Sequence, residues 1–294
     1  MAALPSPPTP LREKMIRDMQ LQRLSPITQR IYLRAVWDLA AFYRCSPDRL
    51  QSEHIRAYLH HLLVDRKISW SACNQVISGL KFFYTQTLDW TAFQLNLPSQ
   101  KKRKRLPQVL SVEELQRLFS VMRRPKHRVL LMTTYSAGLR VGEVVRLQLR
   151  DIESDRMLIR VNQGKGQKDR YTLLSSRLLA ELRAYWKLQQ PPQWLFPGRD
   201  LSQPMAVRTA QQVYMTARAK ADLQHGPGIH TLRHCFATHL LETGVDPRTI
   251  QVLMGHRSIQ TTMGYLQVTR AHLGNVRSPF DLLHFDDLPS LTEE

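Results

Sequence analysis

The chain has 294 residues, enough for one large domain or two modest ones with real cores. Hydrophobic residues make up 43% of it, which excludes a disordered chain, and no apolar run reaches the roughly 18 residues of a membrane-spanning helix. Lysine and arginine number 42 against 24 aspartates and glutamates, a net charge of +18 that calls for a polyanionic partner, usually nucleic acid, rather than a membrane surface.

Residues 1–10 are proline-rich without an apolar core, so they form a flexible N-terminus and not a signal peptide. Helical spacing follows over 11–23 (Leu11, Met15, Ile16, Met19) and over 26–44, whose apolar stripe is Ile31, Leu33, Val36, Leu39, Ala40 and Phe42. Two more helices are expected at 51–64 and at 70–88, the latter with Val76, Ile77, Leu80, Phe83 and Tyr84. These helices within 11–98 suggest a small DNA-binding module with the stripes as its core. The opposite faces offer Arg30, Arg34, Arg66, Lys67 and Lys81 as phosphate contacts, each of which alone also fits a solvated surface charge. Lys101, Lys102, Arg103, Lys104 and Arg105, closed by Pro107, mark a basic linker over 99–108. Residues 1–108 hold 17 basic and 7 acidic residues, net +10, and residues 109–294 hold 25 and 17, net +8, so both halves favour the same polyanion.

Ser111-Val112-Glu113-Glu114 fits a capping box and opens a helix over 111–122, followed by 126–137 and a short helix from Arg140 to Leu147. Met157–Val161 and Arg170–Leu174 are strand-like and joined by a glycine-containing basic tip, a hairpin pattern. Helices return at 176–190, 207–222, 231–243, 247–254 and 258–265, and residues 286–294 form an acidic tail after a domain spanning 109–285. The cysteines Cys45, Cys73 and Cys235 form no CxxC pair, which favours reduced thiols in the cytosol.

The chemistry concentrates in a few strings. Arg140 follows Gly138-Leu139 at a helix start, where a planar guanidinium adds to the free N–H groups as an anion clamp; alone it also fits a surface pair with Glu143. His230 and Arg233 are three apart and share a helical face, within His230-Thr231-Leu232-Arg233-His234-Cys235. A metal reading of His230, His234 and Cys235 lacks a completing cluster, and His234 and His239 read as packing or supporting groups. Gly255 permits a tight helix end that aims His256, and Tyr265 follows on the next helix. A phenol needs help to become a nucleophile: guanidiniums favour the phenolate, and an imidazole can take its proton. Lys165, flanked by Gly164 and Gly166 at the hairpin tip, is a candidate general acid for a leaving oxygen, with Lys168 as a competitor or a backbone contact.

These strings resemble the tyrosine recombinase (lambda-type phage integrase) family over roughly residues 11–285. The resemblance implies a mainly α fold with a small antiparallel β-sheet, in which a helical SAM-like core-binding domain and a mixed catalytic domain clamp duplex DNA. It assigns the active site to Arg140, Lys165, His230, Arg233, His256 and the nucleophile Tyr265, with no metal and no cofactor. It further implies cleavage and rejoining of duplex DNA through a 3′-phosphotyrosyl bond by a homo-tetramer on two specific sites, monomeric without DNA.

Within the family, the short spacing from Lys165 to His230 is similar to Xer-type recombinases. Leu11 to Met15, Ser25 to Thr28 and Val276 to Pro279 look like integron integrases, without the helical insertion those enzymes carry before the His-x-x-Arg string. The preferred reading is a mobile-element integrase or resolvase acting on duplex sites in the bacterial cytoplasm, at the nucleoid. A type IB-like topoisomerase and a non-catalytic basic DNA-binding regulator stand as alternatives.

Overall fold

The computed structural model describes residues 9–90, 108–162, 169–256 and 258–266. The chain divides into two compact units, Met1–Lys102 and Arg103–Glu294. The basic run Lys101–Arg105, the hairpin-tip residues Lys165 and Lys168, and the acidic tail lie outside the described residues.

The first unit holds α1 (Pro10–Leu21), α2 (Pro26–Tyr43), α3 (Ser52–Val64) and α4 (Trp70–Phe82). Each of the first two starts on a proline behind a hydroxyl cap: Thr9 accepts the Arg12 N–H and Ser25 accepts the Thr28 N–H. Met15, Met19, Leu39, Ile55, Leu59 and Leu80 form the core. Two members of the expected stripe depart from it. Ile31 is 37% and Phe42 44% exposed, and Phe42 instead lies against Tyr58 and His61 on α3. The helix expected over 70–88 changes winding at Phe83–Thr87, which is a π-turn. The wider turn buries both Phe83 and Tyr84 and lets the Tyr84 hydroxyl donate to the Pro47 carbonyl at 2.6 Å.

The second unit begins with α5 (Val112–Ser120), where the expected capping box is present: Ser111 Oγ accepts the Glu114 N–H, and Glu114 Oε2 accepts the Ser111 N–H at 2.8 Å. Then come α6 (Pro125–Ser136), the four-residue α7 (Val141–Val144), β1 (Ile152–Glu153), β2 (Leu158–Val161) and β3 (Arg170–Leu173). The three strands form one antiparallel sheet in sequence order, with Ile159 opposite Thr172. β1 was not foreseen; two residues give no alternation to detect. Helices α8 (Ser176–Gln189), α9 (Val207–Lys220), α10 (His230–Glu242), α11 (Pro247–Met254) and α12 (Ile259–Leu266) complete the described fold.

Helix α10 is the axis of this unit. Thr231, Leu232, Arg233, Cys235, Phe236, Ala237, Thr238 and Leu241 are all buried, so it is enclosed on nearly every side. α6, α11 and α12 pack on it. Gly138, just after α6, takes φ of +60°, and the Phe236 ring sits where a Cβ would project. Gly138→Ala is therefore expected to destabilise the unit by more than the roughly 1–2 kcal/mol of left-handed strain alone. Denaturant unfolding measures it; an unchanged midpoint would contradict this packing.

Candidate active site

The site is organised around an acid, Glu143, whose sequence context offers only a surface pair with Arg140. Glu143, on α7, is 8% exposed in its side chain. Its Oε1 accepts from Arg140 Nη1 at 2.7 Å and Arg170 Nη1 at 2.9 Å. Its Oε2 accepts from the Arg140 backbone N–H at 2.8 Å and Arg170 Nη2 at 2.8 Å, with Arg233 Nη1 3.8 Å away. Burial alone would raise the carboxyl pKa, but the hydrogen bonds and charges of Arg170 and Arg140 outweigh it and bring it down to about 2. The Arg140–Glu143 pair thus exists, but as part of a network and not as an isolated surface contact. The Arg140 backbone N–H is taken by Glu143, and the Arg140 side chain is 24% exposed.

Arg233 is 5% exposed and is pinned by backbone carbonyls: Nη1 donates to Gly138 and Nη2 to Met254. Burial, reinforced by Arg140 and opposed by Glu143, lowers its pKa to about 10, so it stays charged at neutral pH. Arg140 Nη2 donates to the Gly255 carbonyl at 3.3 Å. A guanidinium carries five N–H donors. Arg140 and Arg233 therefore keep N–H donors beyond these contacts.

Gly255 ends α11 at φ of +61°, as its position before His256 suggested, and a Cβ there would meet the Arg170 side chain at 2.8 Å. Arg170 also donates Nε to Leu253 O at 2.9 Å, so it ties the hairpin base to the turn that carries His256. His256 Nδ1 lies 2.9 Å from Thr262 Oγ1. Burial, with Arg233, Arg140 and Arg170 nearby, lowers its pKa to about 4. His230 stands at the exposed start of α10; partial enclosure of its ring, then Arg233 and Arg140, pull its pKa down against Glu143. His256 is therefore neutral at neutral pH, and the shift of His230 favours its neutral form.

Tyr265 reaches this cluster from α12. It is 5% exposed, packed with Phe236, Ala237, Leu241, Ile250 and Met254, and its ring lies nearly parallel to that of His256 at 6.3 Å. Burial raises its phenol pKa, while Arg233 and Arg140 act in the opposite direction. His234 Nδ1 is 3.0 Å from the Tyr265 hydroxyl, so of the two roles expected for it, packing or supporting, it is a supporting group at the phenol. His239 does pack, bridging the Tyr135 hydroxyl at 2.9 Å and the Leu110 carbonyl at 3.1 Å. Cys235 turns away from both histidines and accepts the Leu110 N–H at 3.2 Å, so the rival metal set does not converge. Among the described residues no group of His, Cys, Asp and Glu is arranged to hold a metal ion.

Five of the six expected residues, Arg140, His230, Arg233, His256 and Tyr265, thus lie around one cluster; Lys165 is outside the described residues. The residues from 108 to 272 match the model of the phage integrase family, and residues 11–92 match its N-terminal SAM-like domain. The chain belongs to the phage integrase family. A Sinorhizobium fredii protein described as an integrase/recombinase is 43% identical over 94% of this chain and 90% of its own length. The tyrosine recombinase XerA of Thermococcus kodakarensis is 34% identical over 95% of this chain and 98% of its own. The structure of the Tn1549 transposon integrase in complex with transposon right end DNA shares the fold at TM-score 0.67 and 16% identity, covering 92% of this chain and 96% of that one. The family member described here is accordingly an enzyme of the tyrosine recombinase type, mostly helical with one small antiparallel sheet.

In the first unit the surface candidates differ. Arg30 and Lys81 are exposed. Arg34 is held by Asp38 at 2.8 Å and stacks over Trp37 at 4.4 Å, so part of its charge is already answered. No described helix is long and apolar enough to cross a membrane.

Removing the carboxylate while keeping its shape, Glu143→Gln, leaves buried guanidiniums facing one another. A loss of about 3–5 kcal/mol in unfolding free energy is expected. The sign with pH follows from a folded pKa below the unfolded one: the Glu143 contribution is complete above about pH 4.5 and is lost as pH falls toward about 2. Unfolding curves across that window should lose part of their slope in the variant; parallel curves would refute the network.

Proposed function

We propose that this enzyme is a site-specific DNA recombinase of a mobile genetic element, cleaving and rejoining duplex DNA through a 3′-phosphotyrosyl intermediate. The observation that carries the reading is the placement of Tyr265 in the field of Arg140 and Arg233 and in reach of an imidazole. A nucleophilic phenol needs both. The +18 charge fits duplex DNA as the partner, and the transposon integrase that shares the fold is held on transposon end DNA.

In this reading Tyr265 attacks a phosphodiester and releases a 5′-hydroxyl, and the hydroxyl of a partner strand later attacks the phosphotyrosyl bond. Arg140, Arg233, His230 and His256 hold the non-bridging oxygens; one such aimed donor is typically worth about 2.7–4 kcal/mol. Lys165 protonates the leaving 5′ oxygen. No metal or nucleotide cofactor takes part. The domain assignment is 11–98 for the core-binding part and 109–285 for the catalytic part, joined by the basic linker, with Arg30, Lys81 and Lys101–Arg105 on the DNA backbone. Recombination is carried out by four protomers on two sites, the free chain being monomeric, in the cytoplasm.

The test is a nicked duplex carrying the cognate site, incubated with the protein in EDTA and run on a denaturing gel. A covalent protein–DNA band is expected, absent in Tyr265→Phe. A native band shift without any covalent band would favour the DNA-binding regulator. Relaxation of supercoiled DNA by single protomers without sequence preference would favour the topoisomerase.

Lys165 has its own signature. Lys165→Ala should slow cleavage by about 10²–10⁴-fold. A substrate with sulfur in place of the bridging 5′ oxygen should restore most of that rate, because a thiolate leaves without a proton. An unrestored rate would remove Lys165 from the general-acid role.

A further inference from the structure

We propose that His234 takes the proton of Tyr265 as the phenol attacks the phosphodiester and returns it when the phosphotyrosyl bond is reversed. The inference rests on the reading of Tyr265 as nucleophile and adds a catalytic residue outside the six expected ones.

Geometry separates His234 from the other imidazoles. His234 Nδ1 is 3.0 Å from the Tyr265 hydroxyl, within hydrogen-bond range. His256 has its Nδ1 committed to Thr262 Oγ1 at 2.9 Å, and its ring lies along the Tyr265 ring with only 14° between planes. Among the described residues the Tyr265 hydroxyl is hydrogen-bonded to His234 and not to His256. His230 has no hydrogen bond to Tyr265 among the described residues. His234 directly follows Arg233 on α10, so the helix that fixes a phosphate-facing guanidinium also fixes this imidazole.

The charge environment suits a base. Facing the His234–Tyr265 pair are His230 and Arg233 from α10, His256 from the end of α11 and Arg140 from the start of α7. Burial, followed by His230 and Arg233, lowers the His234 pKa, which keeps the ring neutral at neutral pH. With Tyr265 as donor, the ring proton of His234 sits on Nε2 and the Nδ1 lone pair is the acceptor.

The step balances without an outside reagent. The Tyr265 O–H bond breaks and its proton moves to Nδ1. The phenolate oxygen forms the bond to phosphorus, and the P–O5′ bond breaks. The 5′ oxygen leaves with the electron pair and is protonated by a separate acid, for which Lys165 is proposed. In the reverse step a 5′-hydroxyl attacks phosphorus and gives its proton back to that same acid, now in its base form; the P–O bond to Tyr265 breaks, and the Tyr265 oxygen leaves with the electron pair and recovers the proton from Nδ1.

The experiment compares His234→Asn with His234→Ala in single-turnover cleavage of the nicked duplex, with native DNA binding measured in parallel. Asparagine places an acceptor oxygen near the Nδ1 position and holds the phenol, but it cannot carry the proton. Both variants are expected to bind DNA as wild type does and to cleave about 10²–10⁴-fold more slowly. Wild-type cleavage should fall on the acid side as His234 is protonated, and that limb should vanish in both variants. Added imidazole should recover part of the rate in His234→Ala.

If His234→Asn cleaves at the wild-type rate with its acid limb intact, the hydrogen bond only positions Tyr265 and this inference alone fails. Loss of DNA binding in both variants would make His234 structural and overturn the inference as well. A wild-type protein that forms no adduct on a site it binds would overturn the nucleophile reading and this inference together.

Discussion

One buried carboxylate constrains the site. An ionised Glu143 removed from water is tolerable only if each oxygen is fully hydrogen-bonded and its charge is matched. Arg140 and Arg170 supply those bonds, and Arg233 stands at ion-pair distance from the same carboxylate. Arg170 arrives from the hairpin base, Arg140 from the start of α7 and Arg233 from the central helix α10. Satisfying one acid therefore brings three separate parts of the second unit together. It also restricts the two guanidiniums proposed to meet a phosphate, so little reorganisation is left for the moment of reaction.

The same concentration of positive charge shapes the titratable groups around it. Histidines beside fixed guanidiniums and at least partly withdrawn from water lose their protons more readily, and His256, His234 and His230 are all shifted that way. Tyr265 is pulled in two directions: burial holds its proton, and Arg233 and Arg140 loosen it. The result is a division of labour. Arginines keep permanent charge, while the imidazoles are biased toward the neutral form and one of them, His234, stands at hydrogen-bond distance from the phenol. Packing supports this division, since Tyr265 is seated among apolar residues of α10 and α11.

Much of this was legible in the sequence, and the reasons differ from element to element. The Ser111 capping box and the Gly255 helix end are local devices, so a few residues suffice to recognise them. The hairpin strands followed from residue type and flanking turn signals. The π-turn at Phe83–Thr87 did not, because nothing in a continuous helical pattern announces one extra residue per turn; the long-range bond from Tyr84 to Pro47 accompanies it. Ile31 and Phe42 fell on the expected stripe but not in the core, because a stripe predicts a face and not what covers it.

The sequence by itself determined the family, the helical character of both units, the strongly basic balance and six of the residues proposed for chemistry. Short-range spacing and local turn chemistry carry that information. Only the tertiary structure decided how those residues are held. Glu143 is buried because α7, β3 and α10 converge, Arg170 becomes an anchor because the hairpin base meets the end of α11, and His234 meets Tyr265 because α12 folds back onto α10. Each depends on contacts between segments distant along the chain, where spacing carries no signal and only packing brings the partners together.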